Sequence, residues 1–119
     1  EEWVRQNFIR FLIEEKGYPA AYLAIEKQLN MNGMKKRCDA ILYNEHALPF
    51  LIIELKAPNV AISQATFDQV AVYNAKLKVD FFIISNGIEH FCCKVNLETA
   101  RYEFFPEIPD FNQIVAKNT

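Results

Sequence analysis

Apolar residues recur along this chain with two different periods, and each period predicts one type of element. Between residues 2 and 16 they recur every three or four positions, and Gly17 follows, which predicts a first helix and its end. A similar spacing over residues 62–77 predicts a second helix with Ser63 as its N-cap. Short runs rich in β-branched and aromatic residues predict strands at 22–29, 38–43, 49–56, 79–84, 88–95 and 101–105.

The run from residue 49 to residue 56 is apolar almost throughout and carries its two charges, Glu54 and Lys56, at its far end. Such a run is typical of a central strand that is covered on both faces. Together with the order of the other elements, it predicts an α/β or α+β fold in which helices flank a mixed sheet. The 119 residues suffice for a single domain with its own core, so we expect one domain over residues 1–119.

Composition and charge exclude several classes of protein. The net charge of −2 argues against a protein that holds nucleic acid by bulk electrostatics, so any DNA contact must be local or assisted by other domains. Three cysteines without a CxxC spacing predict neither disulfides nor a zinc site, which favours the reducing cytoplasm. The longest uncharged apolar stretch, residues 47–53, is too short to span a bilayer, and we expect no membrane association.

The charges at the end of the central strand carry the candidate chemistry. Because successive side chains of a strand point to opposite faces, Glu54 and Lys56 share one face. Asp39 begins the preceding strand, and a hairpin between Tyr43 and Pro49 would bring it beside Glu54. We therefore expect two carboxylates and one lysine to converge.

This arrangement predicts a metal site. Asp39, Glu54 and the backbone carbonyl of Leu55 supply the oxygen ligands that Mg²⁺ or Mn²⁺ prefers. Lys56 is then placed to orient the attacking water and to stabilise the charge that develops on a phosphate. The expected chemistry is hydrolysis of a phosphodiester bond.

At these residues the sequence resembles the PD-(D/E)xK nuclease superfamily, whose signature appears as Asp39 followed by Glu54-Leu55-Lys56, with Cys38 in place of the proline. Nearly the whole chain is similar to the N-terminal nuclease domain of type I restriction enzyme R subunits. The runs that carry this similarity are Glu2-Trp3-Val4-Arg5-Gln6, Glu54-Leu55-Lys56-Ala57-Pro58, Gln69-Val70-Ala71-Val72-Tyr73 and Ser85-Asn86-Gly87.

The resemblance implies a restriction-endonuclease-like fold and a Mg²⁺-dependent DNA endonuclease that works with other restriction-system domains or subunits. It also implies that a glutamate of the first helix supports the metal, for which Glu2 is the candidate and Glu1 the alternative. Gln69 and Tyr73 match the QxxxY pattern of RecB-type nucleases, and they are implied to contact DNA or to orient the metal ligands.

Other interpretations of the same residues stay open. Asp39, Glu54 and Lys56 are also compatible with a structural ion pair, Glu2 with acidic decoration of a helix N-terminus, and Tyr73 with a half-buried helix residue. A small stand-alone protein of this fold is the second hypothesis, either as a structure-specific nuclease, which would work as a homodimer, or as a non-catalytic interaction module. The sequence starts with Glu rather than Met, which favours the interpretation that it is a piece of a longer chain.

Overall fold

The computed structural model describes residues 2–31, 33–96, 98–99 and 101–117, and within these ranges it contains three α-helices and six strands. The helices are α1 (Glu2–Glu14), α2 (Gln64–Leu77) and α3 (Phe111–Lys117), and a 3-10 turn covers Ala20–Tyr22. The strands are β1 (Leu23–Met31), β2 (Met34–Tyr43), β3 (Pro49–Leu55), β4 (Phe81–Ser85), β5 (His90–Asn96) and β6 (Arg101–Phe105).

The described strands form one mixed sheet in which spatial order follows chain order, from β1 to β6. β3 and β4 are parallel, and every other neighbouring pair is antiparallel. A parallel pair requires a crossover connection, and α2 lies in that connection. The predicted α/β architecture, a mixed sheet flanked by helices, is therefore confirmed.

Two buried clusters cover the two faces of the sheet. The first joins α1 and α3 to one face and includes Val4, Phe8, Leu12, Ala40, Leu42, Leu51, Ile53, Leu55, Phe81, Ile83 and Ile114. The second joins α2 to the other face and includes Cys38, Ile41, Ile52, Phe67, Val70, Tyr73, Phe82, Ile84 and Cys93. From Leu51 to Ile53 the residues of β3 alternate between the clusters, so the strand is covered on both faces as predicted.

The ends of some elements agree with the sequence-based prediction and the ends of others differ from it. α1 stops at Glu14, and Gly17 has a φ of +74°, which only glycine adopts without strain. α2 begins after Ser63, whose backbone N–H donates to Thr66 Oγ1 at 3.4 Å, so the predicted N-cap is confirmed. Residues 35–37, which lie outside the predicted strand at 38–43, belong to β2, where they pair with β1.

α3 has no counterpart in the prediction. Two prolines, Pro106 and Pro109, precede it and obscure its short apolar pattern. Its first backbone N–H, that of Phe111, donates to the carbonyl of Lys16 at 2.8 Å, and its Ile114 is fully buried against the sheet. Tertiary contacts rather than local sequence therefore define this helix.

Candidate active site

Asp39 and Glu54 meet where the pairing of β2 with β3 ends. Ala40 and Ile53 are the last paired residues at this end of the hairpin, so Asp39 and Glu54 occupy the next positions along the two antiparallel strands. Asp39 is fixed by its Oδ2 atom, which accepts a hydrogen bond from the backbone N–H of Leu55 at 2.8 Å. The expected hairpin geometry, with Asp39 beside the end of β3, is present.

Lys56 completes this cluster from the residue that follows β3. Its Nζ lies 3.9 Å from Oε1 of Glu54, and the two side chains keep only 27% and 15% of their exposure. The backbone N–H of Lys56 donates to the carbonyl of Ser85 on β4 at 2.8 Å. Partly buried charges need such compensation, because desolvation of an unpaired charge costs several kcal/mol.

The thiol of Cys38 is buried beside the two carboxylates. Burial, followed by the nearby charges of Glu54 and Asp39, raises the pKa of Cys38 to about 11. A neutral thiol at this position is compatible with the two carboxylates, whereas a thiolate would repel them. Cys38 therefore packs beside the site as a protonated side chain.

The backbone around Asp39 departs from regular strand geometry. Ala40 packs in the first cluster and Cys38 in the second, although strict alternation would place both on one face. On β1, Glu26 lies between the partners of these two residues and has a φ of +55°. The irregularity lies where the β2–β3 pairing ends and where the Asp39 carboxylate binds the backbone N–H of Leu55.

The residues present fit a divalent cation through two carboxylates. Among the residues that the structure describes, no group of three or more His, Cys, Asp or Glu side chains is placed to hold a metal ion. Mg²⁺ is commonly bound by one or two carboxylates together with water and substrate phosphate oxygens, so Asp39 and Glu54 with the Leu55 carbonyl form a suitable set. The metal itself stays a prediction.

Glu2 is engaged with two residues of its own helix, Arg5 and Gln6. Its Oε1 forms an ion pair with Arg5 and accepts a hydrogen bond from Gln6 Nε2 at 3.1 Å. The hydrogen bond from Arg5 is the main cause that lowers the pKa of Glu2. A role for Glu2 as a metal ligand remains a prediction, and its alternative, Glu1, lies outside the described residues.

Arg5 and Glu26 extend this contact into an ion-pair network that the sequence did not reveal. Arg5 also pairs with Glu26 on β1, and Glu26 in turn lies 2.8 Å from Arg37 on β2. The network ties the start of α1 to β1 and to β2, the strand that carries Asp39. Only the spacing of Glu2 and Arg5, three positions apart on one helix, was a local signal for it.

Gln69 and Tyr73 lie on one face of α2, as their spacing predicts. Nε2 of Gln69 is 3.4 Å from the Tyr73 hydroxyl. Tyr73 is 8% exposed and packs in the second cluster with Cys38 and Ile52. Since Glu54 alternates with Ile53 and shares the face of Ile52, the QxxxY pair lies on the same side of the sheet as Glu54. Its contact with DNA or with metal ligands stays a prediction.

The structure thus combines a mixed sheet between helices with a cluster of Asp39, Glu54 and Lys56 at the end of β2 and β3. Residues 1–109 match the family described as type I restriction enzyme R protein N terminus (HSDR_N), and the chain belongs to this family.

Two solved structures share the fold. One is the fragment structure of a protein described as a candidate HsdR subunit of a type I restriction enzyme from Vibrio vulnificus YJ016, with a TM-score of 0.67, 16% identity and 97% of this chain covered. The other is a candidate nuclease of the DUF820 group from Anabaena variabilis ATCC 29413, with a TM-score of 0.58, 13% identity, and coverage of 97% of this chain and 74% of its own.

The chain spans about a quarter of the Vibrio structure, 25% of that chain. Among curated proteins, none matches the sequence significantly. No helix in the described part of the chain is long and apolar enough to cross a membrane.

Proposed function

We propose that this domain is a Mg²⁺-dependent DNA endonuclease domain that hydrolyses phosphodiester bonds within a type I restriction enzyme. The observation that carries the proposal is the convergence of Asp39, Glu54 and Lys56 at the end of β2 and β3, in a chain of the R protein family. Charged side chains that are held partly buried in one place are more typical of a reaction site than of a surface ion pair.

Asp39 and Glu54 would hold the ion, with Mn²⁺ as the other suitable metal, and the carbonyl of Leu55 would be a third oxygen ligand. When bound, the ion supplies Lewis-acid chemistry to a phosphate oxygen and lowers the pKa of its bound water. The hydrogen bond from Leu55 N–H to Asp39 fixes the orientation of one carboxylate before any ligand arrives. Such prior fixation is what metal ligands on rigid strands provide.

Lys56 would act on the reacting groups directly. Its ammonium group is close to Glu54 and has three rotatable N–H donors, which suit a water molecule or a phosphate oxygen. In this position it orients the attacking water and stabilises the negative charge of the transition state.

DNA binding would depend on more than this domain. The net charge of −2 leaves little bulk attraction for a polyanion. Gln69 and Tyr73, on the Glu54 side of the sheet, are our candidates for local DNA contacts or for support of the metal ligands. Other domains or subunits of the restriction enzyme would supply the remaining DNA affinity and the translocation.

The decisive experiment is a cleavage assay in the full-length protein with Glu54→Gln and Lys56→Ala. Both variants should lose Mg²⁺-dependent cleavage by at least about a hundredfold and remain folded, because each charge is required for chemistry and is costly to bury. Matched controls are Glu45→Gln, in the exposed turn at the other end of β3, and Lys76→Ala, in the exposed last turn of α2. Normal cleavage by Glu54→Gln or Lys56→Ala contradicts the proposal and favours a non-catalytic interaction module.

A further inference from the structure

The turn Ser85-Asn86-Gly87 lies next to the catalytic end of β3, although the proposed chemistry assigns it no role. Leu55 pairs with Ser85 in the parallel β3–β4 ladder, and the Lys56 backbone N–H donates to the Ser85 carbonyl at 2.8 Å. Whatever fixes this turn therefore also bears on the backbone of Lys56.

Asn86 connects this turn to the loop that follows Lys56. Its side chain is buried, with 3% exposure, and its Nδ2 donates to the carbonyl of Val60 at 2.9 Å. Its Oδ1 accepts hydrogen bonds from the backbone N–H groups of Ile88 at 2.9 Å and Glu89 at 2.7 Å. One amide group thus joins the β3–α2 loop to the β4–β5 turn.

The turn itself is fixed from two further directions. Gly87 has a φ of +88°, and a Cβ there would lie 3.2 Å from Val4 and 3.3 Å from Trp3, both on α1. Oγ of Ser85 accepts a hydrogen bond from the Gly87 N–H at 3.0 Å and lies 2.6 Å from Nδ1 of His90. The turn that carries Asn86 is therefore held in place, and the loop after Lys56 is the segment that the Asn86 side chain restrains.

We propose that Asn86 is a positioning residue that holds the loop after β3, and through it Lys56, in the geometry needed for cleavage. The inference rests on the proposed function. Lys56 is the first residue beyond β3, so its backbone is fixed on one side by β4 and on the other by the loop that Asn86 anchors at Val60. A displacement of about 1 Å at a reacting group reduces a rate by as much as ~100-fold.

The test uses Asn86→Asp in the full-length protein. Aspartate keeps the two hydrogen bonds from Ile88 and Glu89 but replaces the donor to Val60 with an acceptor, so the loop loses its anchor. Asn44→Asp is the matched control, because Oδ1 of Asn44 also accepts two backbone hydrogen bonds, from His46 and Leu48, at the opposite end of β3. If Asn86→Asp does not fold, Asn86→Ser removes the Val60 contact without adding charge.

We expect Asn86→Asp to lower the single-turnover cleavage rate by about 10- to 100-fold. Mg²⁺ should still raise the melting temperature of this variant as much as that of the wild type, because a bound ion stabilises the folded state. Hydrogen exchange at residues 57–62 should become faster in Asn86→Asp and stay unchanged in Asn44→Asp. A purely structural role would instead reduce cleavage and metal-dependent stabilisation together, and that result overturns the inference.

Two further outcomes separate this inference from the proposed function. If the wild type cleaves DNA and Asn86→Asp cleaves it equally fast, the inference alone is overturned. The same holds if hydrogen exchange at residues 57–62 is unchanged in Asn86→Asp. A wild type that does not cleave DNA at all overturns the proposed function, and the inference falls with it.

Discussion

Asp39 combines a structural contact with its proposed role as a metal ligand. Its Oδ2 accepts the Leu55 N–H at 2.8 Å, so removal of the whole side chain would disturb the end of β3 as well as the site. Asparagine has nearly the same volume and can accept the same hydrogen bond, but it carries no charge. Asp39→Asn is therefore the substitution that separates the two roles.

Mg²⁺ or Mn²⁺ should raise the melting temperature of the wild type, and Asp39→Asn should abolish this rise. An ion that binds only the folded state stabilises it by about 2.7 kcal/mol at a hundredfold excess over its Kd. Ca²⁺ should also stabilise the fold without supporting cleavage, because its flexible coordination positions water less strictly. The control is Asp110→Asn, at the exposed position immediately before α3. An equal rise in Asp39→Asn places the ion elsewhere.

Cys38 should not take part in the reaction, even though it lies beside both carboxylates. With a pKa of about 11, raised mainly by burial, its thiol stays protonated at neutral pH and is no nucleophile. Cys38→Ala should keep the cleavage rate within about threefold of the wild type and leave its pH profile between 7 and 9 unchanged. A shifted profile measured under single-turnover conditions would assign the thiol a role in the chemistry.

At the scale of elements, α3 depends on contacts with the segment that follows α1. The buried hydroxyl of Tyr18 donates to the carbonyl of Pro109 at 2.9 Å, and Lys16 accepts a hydrogen bond from the first residue of α3. Burial raises the pKa of Tyr18 well above its ordinary value, as expected for a phenol in an apolar environment. One tyrosine thus fixes the residue Pro109 just before α3, 91 positions further along the chain.

Tyr18→Phe should lower the free energy of unfolding by about 1–3 kcal/mol, because the Pro109 carbonyl loses its partner inside the protein. Urea denaturation measures the effect. Tyr22→Phe is the matched control, since it removes the same hydroxyl from a tyrosine that is 40% exposed. Equal midpoints for the two variants would show that the Tyr18 hydrogen bond contributes nothing to the stability of the fold.

Elements with a strong periodic pattern were predictable, and those made by tertiary contacts were not. β3 and α2 carry long apolar patterns, and Ser63 marks the start of α2. α3 is only seven residues long and is defined by its contacts with Tyr18 and Lys16. The extension of β2 through residues 35–37 was missed, because three adjacent cationic residues give no alternation of apolar and polar positions.

The same distinction holds for the candidate site. Asp39, Glu54 and Lys56 come together through the alternation of side chains along β3 and the register of the β2–β3 hairpin. Both features can be predicted from the sequence. The contact of Asn86 with Val60 spans 26 positions, and the pair of Arg5 with Glu26 joins a helix to a strand. Such contacts have no sequence period, so only the folded arrangement reveals them.

At the scale of the whole molecule, the two buried clusters enclose all three thiols. Cys92 lies in the first cluster and Cys38 and Cys93 in the second, each with at most 1% exposure. Burial raises the pKa of Cys93 to about 12 and that of Cys92 further still. The core therefore favours the protonated form of every thiol, which links folding to pH.

The stability of the protein should fall as the pH rises above 9. Well below pH 9 both states bind the thiol protons, so the thiols add no pH dependence. As the pH rises through 9, the unfolded thiols ionise around their ordinary pKa of 9.0, while folded Cys38 keeps its proton up to about pH 11. The unfolded state then binds fewer protons, and the free energy of unfolding decreases by up to about 1.4 kcal/mol per pH unit for each thiol. Urea midpoints measured between pH 8 and 10 also include part of the ionisation of tyrosine and lysine, whose ordinary pKa values are near 10, so the comparison needs a second protein that keeps these residues. A variant with Cys38, Cys92 and Cys93 all changed to Ala should show a flatter decline over this range, whatever its absolute stability. Equal slopes for the two proteins would mean that the thiols are accessible to hydroxide in the folded state, contrary to their burial on both faces of the sheet.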